Sequence, residues 1–154
     1  MRTKTLLLFF FLLGTFVFAQ PAQPLNLSEI KKVMGYSTDI NKLVENVKSL
    51  NKGFEVIGEI NQRGTRFTNG SYEFTVSCVF GEKLTYSEII NKSVETRLSS
   101  LLDELRSDAF EEDPRSDGST KVMKKKNWEY QQVADLKRNK ARIRLTIVYP
   151  FSEL

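Results

Sequence analysis

The longest apolar run in the chain is Leu6 to Phe18, 13 residues broken only by Gly14 and Thr15, and it follows the basic residues Arg2 and Lys4. Val17-Phe18-Ala19 then offers a small residue at the cut before Gln20. This pattern predicts a secretory signal peptide over residues 1–19. At ~1.5 Å per residue the run spans only about 20 Å, short of the ~30 Å needed to cross a bilayer as an anchor. Residues 20–26, with Pro21 and Pro24, read as an extended lead-in, and residues 27–154 as a single domain.

Beyond the leader, two hydrophobic periods alternate. Asn26 and Glu29 form a capping box ahead of Ile30, Val33 and Met34, and helical spacing resumes at Ile40, Leu43, Val44, Val47 and Leu50. This predicts a helix over about 27–51 with a break near 35–38, stopped by Gly53. Alternation predicts strands over 54–60 and 71–80, and the dipeptide Asn69-Gly70 is a hairpin signal. Residues 61–70 fit a short strand, a long hairpin or a loop. Thr85 and Glu88 match a second capping box, and Tyr86, Ile89, Ile90, Val94, Leu98, Leu101, Leu102 and Leu105 predict a long amphipathic helix. The polar stretch 107–126 reads as a loop. Strands follow over 127–136 and 140–150, joined near Arg138-Asn139.

The expected fold is therefore α+β, in the order α-β-β-α-β-β. It has two layers, with two helices on one face of a mainly antiparallel four-stranded sheet. The other face, carrying Glu55, Glu59, Glu73, Glu129, Arg142 and Arg144, is expected to be polar and open to solvent.

Composition narrows the chemistry. The chain has no histidine and a single cysteine, Cys78. Histidine triads, histidine-ligated metals and an intramolecular disulfide are excluded. Cys78 alternates with Tyr72, Phe74, Val76 and Phe80, so it is expected to be a buried hydrophobe. Removing Arg2 and Lys4 with the leader leaves 21 basic and 19 acidic side chains, a net charge of +2. That balance disfavours nucleic acid as a partner.

Four features invite a chemical reading. Asp113-Pro-Arg-Ser-Asp117-Gly118 resembles the start of a calcium loop but has Arg115 at the third position and Lys124 at the twelfth. Glu55, Glu59 and Glu73 supply carboxylates of the kind a glycan hydrolase uses. Asn26, Asn69 and Asn91 each begin a glycosylation sequon, with Asn69 in the most accessible turn. Lys124, Lys125 and Lys126 form one basic cluster, and Arg138, Lys140, Arg142 and Arg144 a second. If both border one surface, they suit an anionic partner.

No catalytic set and no cofactor motif emerges. The expectation is an exported, non-catalytic binding or assembly module, periplasmic or extracellular, acting on a protein or an anionic envelope component. Self-association through sheet edges is a further route. A small carboxylate-based glycan hydrolase and a binder of anionic membrane surfaces are the alternatives.

Overall fold

The computed structural model describes residues 22–35, 39–79 and 83–148. The leader read over 1–19 lies outside them, as do the break at 36–38, Phe80 and Tyr149. Helix α1 spans Leu27–Met34 and α2 spans Ile40–Ser49. Strands β1 (Glu55–Ile57), β2 (Thr65–Thr68), β3 (Glu73–Val79) and β4 (Lys83–Ile90) follow. Helix α3 spans Val94–Ser107. Then come β5 (Glu111–Glu112), β6 (Thr120–Lys125), β7 (Trp128–Asp135) and β8 (Lys140–Val148).

All eight strands form one antiparallel sheet, ordered β1-β2-β3-β4-β8-β7-β6-β5. The fold is α+β, but the expected two helices on a four-stranded sheet are replaced by three helices and eight strands. Two misassigned segments supply three of the four extra strands, β2 supplies the fourth, and the expected helix over 27–51 is two helices, α1 and α2. Residues 83–90, expected to begin the long helix, are β4, so the Thr85–Glu88 capping box does not exist and the helix begins at Val94. The polar stretch 107–126, expected as a loop, contains β5 and β6. The open question over 61–70 resolves as β2 leading into the Asn69-Gly70 hairpin. The sheet is two four-stranded meanders, β1–β4 and β5–β8, joined antiparallel where their last strands meet.

Helices α1 and α2 begin at side-chain caps, whereas Ser93 before α3 makes none. Asn26 Oδ1 accepts from Glu29 N at 2.9 Å, and Glu29 Oε2 accepts from Asn26 N at 2.8 Å, so the expected capping box is present. Asp39 caps α2 through Asn41 N at 2.9 Å. Gly53 is not the stop of α2; the chain leaves the helix through Leu50 and Asn51, whose φ is 54°.

The core lies between the helices and one sheet face. Leu27, Ile30, Val33, Leu43, Val47, Leu98, Leu101 and Leu105 from the helices meet Phe67, Phe74, Val76, Cys78, Leu84, Tyr86, Tyr130, Ile143 and Leu145 from the strands. Cys78 is a free, buried thiol, as its alternation predicts. Two charged side chains share this interior. Arg97 projects inward from α3 and Glu88 from β4, with 8% and 4% of their side chains exposed. Arg97 donates to both Glu88 oxygens, Nε to Oε1 at 3.2 Å and Nη2 to Oε2 at 2.8 Å. Its Nη2 also donates to the Leu25 carbonyl at 2.7 Å, and Tyr86 Oη donates to Glu88 Oε2 at 2.8 Å. This network ties the lead-in to both layers. The lead-in is held twice more: Lys52 Nζ donates to Pro24 O at 3.2 Å and Asn69 Nδ2 to Gln23 O at 3.3 Å.

Burial pushes the Tyr86 hydroxyl well above its ordinary value of 10.0, and the neighbouring Glu88 carboxylate adds to the shift. Burial raises Tyr130 in the same direction. The folded state therefore holds both phenols protonated after the unfolded chain would release them. Their contribution is complete below about pH 10 and is lost as pH rises beyond it. Alkaline titration followed by ultraviolet absorbance should show these two tyrosines silent until the protein unfolds. Ionisation of every tyrosine near its ordinary value, with the fold intact, would contradict this.

Candidate functional site: the open face of the sheet

Strand alternation sends the side chains of β8 to two sides. Ala141, Ile143, Leu145 and Ile147 enter the core, while Lys140, Arg142 and Arg144 are exposed on the face without helices. The antiparallel register then places their neighbours. Ile89 of β4 lies opposite Arg142, and Val133 of β7 lies opposite it on the other side. Arg144 stands between Ser87 and Gln131. Ile89 is 64% exposed and Val133 48% exposed, although β4 and β7 are both interior strands of the sheet. A depression of about 460 Å³ is lined by Glu73, Thr75, Ser87, Ile89, Arg142 and Arg144 among others.

The first basic cluster divides between the two sides of the sheet: Lys124 stands opposite Glu129, in the row of Thr146, and so lies on the open face with Arg142 and Arg144, whereas Lys125 stands opposite Trp128 and reaches Asp108 on the helix side. Lys124, Lys125 and Lys126 lie at the β6–β7 turn, while Arg138 and Lys140 lie at the β7–β8 turn, at the opposite end of the strands. Their charges also differ in what they face. Lys124 pairs with Asp113 at 2.9 Å, Lys125 with Asp108 at 3.0 Å, and Arg138 with Asp135 at 3.6 Å. Lys126 carries no ion pair among the described residues but stands alone in its turn, with φ of 52°. Lys140, Arg142 and Arg144 also have no carboxylate within ion-pair distance among the described residues. They form a column of three free cations on one strand. Ile89 and Val133, which flank that column, were not anticipated; their signal is an apolar side chain in the outward register of an interior strand.

The other candidates have most of their charges engaged locally. A hollow of about 1150 Å³ runs between α1 and α3 past Ser28, Lys31, Ser99, Asp103, Glu104 and Asp108. It is an open groove in which Lys31, Asp103, Glu104 and Asp108 each have a local partner. Lys31 pairs with Asp108 at 2.6 Å, and Glu104 accepts from Leu27 N at 2.6 Å and from Ser100 Oγ at 3.3 Å. The hydrogen bond from Lys31 holds the Asp108 carboxyl below the usual range, and a second one from Lys125 acts the same way. Glu95 also lines the groove and has no ion pair among the described residues, a single exposed carboxylate rather than a set of charges in line.

Glu73 is bound by Arg66, through Nε at 3.0 Å and through Nη2. Glu55 is separated from Glu73 by Thr68 on the intervening strand, which puts the two backbones about 9–10 Å apart. Glu59 falls beyond the end of β1. In the segment resembling a calcium loop, Asp113 pairs with Arg115 and Lys124, which hold its carboxyl well below the usual range. Asp117 is spent on Ser119 N and Thr120 N, both at 2.7 Å. No group of three or more metal-ligating carboxylates or thiols occurs among the described residues. Ion pairs Lys121–Glu112 and Lys124–Asp113 tie β6 to the segment before it at the surface.

Of the three sequon asparagines, Asn26 caps α1. Asn69 is less available than its turn implies: its Oδ1 accepts from Ser71 N and Tyr72 N, and its Nδ2 donates to Gln23 O and Lys52 O. Asn91 is exposed.

Among the described residues no helix is long and apolar enough to cross a membrane. The chain matches no family model, no curated protein sequence and no solved structure at a significant level, so its chemistry must be read from its own surface.

Proposed function

We propose that the chain is an exported, non-catalytic binding or assembly module whose working surface is the open face of the sheet. The observation that carries this is the column Lys140, Arg142, Arg144. These cations are free of acidic partners, whereas Lys124, Lys125, Arg115 and Arg66 are neutralised. Exposed Ile89 and Val133 beside the column add apolar area that solvent gains nothing by touching. The face is favoured over the edges for a geometric reason. The edge strands β1 and β5 have three and two residues, so they present few unpaired backbone groups to an incoming strand.

The test is site-specific photo-crosslinking in cells, with the reactive group at position 89 on the open face or at position 99 on the exposed side of α3. Adducts are expected from position 89 and not from 99, on a form of the chain that begins at Gln20 in the exported fraction. The double charge reversal R142E/R144E should abolish them. Equal adducts from both positions, or adducts insensitive to the reversal, would refute the assignment of the face. Retention of the chain inside the cell would refute export.

A further inference from the structure

We infer that the occupant of this face is an extended acidic polypeptide segment, with carboxylates at alternate residues that meet Lys140, Arg142 and Arg144 in turn. This deepens the open-face reading and rests on it.

The argument begins with spacing. The three cations occupy every second position of one antiparallel strand, so they recur at about 6.8 Å and span roughly 14 Å. An extended peptide has the same repeat. Laid along β8, a chain of alternating acidic residues would place one carboxylate over each cation. A uronate glycan carries its carboxylates at intervals set by ring size and linkage, and does not share this repeat.

The chemistry of the cations agrees. Two of the three are arginines, whose planar fork binds a carboxylate through two parallel hydrogen bonds. Ile89 and Val133 lie one strand away on either side of Arg142, about 4.8 Å off. They supply apolar walls against which the aliphatic stems of the segment's side chains can pack.

The surrounding charges disfavour a broad anionic surface. Glu73 stands on the same face, opposite Ile89 in the row of Arg142. Glu129 stands beside Thr146, one row from Arg144. A bilayer pressed against the sheet would meet these carboxylates together with the cations. A narrow segment over Lys140, Arg142 and Arg144 stays two strands from Glu73, and the carboxylate directly beside its path, Asp135 opposite Lys140, is engaged by Arg138.

The experiment measures binding of the protein to dye-labelled peptides of identical composition. One has the repeat Glu-Thr-Glu-Thr-Glu, and the other groups its acids as Glu-Glu-Glu-Thr-Thr. Oligogalacturonate and vesicles rich in phosphatidylglycerol serve as the competing ligand classes. The alternating peptide is expected to bind at least fivefold more tightly than the grouped one. Binding should fall at least tenfold in R142Q/R144Q, whose substitutions are on the surface and leave the circular dichroism spectrum unchanged, and it should weaken as salt rises. Equal affinity for the two peptides would overturn the inference. So would binding confined to the uronate or to the vesicles. If no peptide binds while adducts at position 89 persist and depend on Arg142 and Arg144, the acidic-segment inference falls and the open-face reading stands. If those adducts are absent, the open-face reading itself falls.

Discussion

Replacing Arg97 with Ala is expected to destabilise the protein by about 3–5 kcal/mol, because it strands the Glu88 carboxylate inside the core without its counter-charge. In a domain of this size that corresponds to a fall of roughly 10–20 °C in Tm. The guanidinium makes three hydrogen bonds, two to Glu88 and one to the Leu25 carbonyl, so the substitution also frees the lead-in from α3. The informative comparison is with the double variant Arg97→Met with Glu88→Gln. This removes both charges, preserves most of the buried volume and leaves an acceptor for the Tyr86 hydroxyl. It should be markedly more stable than Arg97→Ala, since the penalty comes from the unpaired charge more than from the lost attraction. Urea unfolding of the three proteins at neutral pH measures this. A double variant as unstable as Arg97→Ala would show instead that the salt bridge itself holds the layers together.

Phe74→Ala should cost a similar amount, about 3–5 kcal/mol, for a different reason. Phe74 is 2% exposed and sits at the centre of four rings. Its ring centroid lies 5.0 Å from those of Phe54, Phe67 and Tyr86, with edge-on, stacked and tilted geometry in turn. These partners come from the segment before β1, from β2 and from β4. Truncation therefore opens a cavity where most of the first meander converges, and the surrounding strands, fixed by their ladders, relax only in part. Phe74→Leu retains most of the volume and should lose less than half as much. A drop in the urea midpoint with an unchanged slope is the expected signature. A loss below about 1 kcal/mol for the alanine variant would mean that the aromatic cluster repacks freely.

Glu88 also explains which part of the fold the sequence conceals. In β4 the inward residues are Leu84, Tyr86, Glu88 and Ile90. A carboxylate in the third place breaks the apolar alternation, and Thr85 with Glu88 then imitates the opening of a helix. Its partner left a trace of its own. Arg97 falls at helical spacing among Val94, Leu98, Leu101 and Leu105, so a charge occupies the buried face of α3. One unexpected charge in each of two inward patterns is the mark of a buried pair, and it is visible only when both elements are assigned correctly.

Strand β6 is hidden differently. Met123 faces the core, and Val122 is buried on the opposite side, beneath the 113–119 turn, where Ser116 and Asp113 bond to its backbone. Two adjacent apolar residues among lysines give no alternation to detect. The ladder to β7 holds the strand through backbone groups that carry no sequence signal. By contrast, β3, β7, β8 and the capped start of α1 follow plain patterns and fall close to where those patterns put them. The basic residues of β8 were legible as charges. That Lys124 shares their face while Lys125 turns to the helix side depends on the strand register, which spacing alone does not reveal.

The seam between the two meanders has a kinetic consequence. Within each meander, strands pair with their neighbours in the chain across connections of modest length, and such contacts form early at little loop-closure cost. The β4–β8 pairing joins Glu88 to Ile143 and Tyr86 to Leu145, with α3 and the whole second meander in between. It is the one ladder in the sheet that must close a long loop, so it is expected to form after the pairings within each meander. It also carries Arg142 and Arg144, so the face proposed as the working surface is complete only once the two meanders are joined.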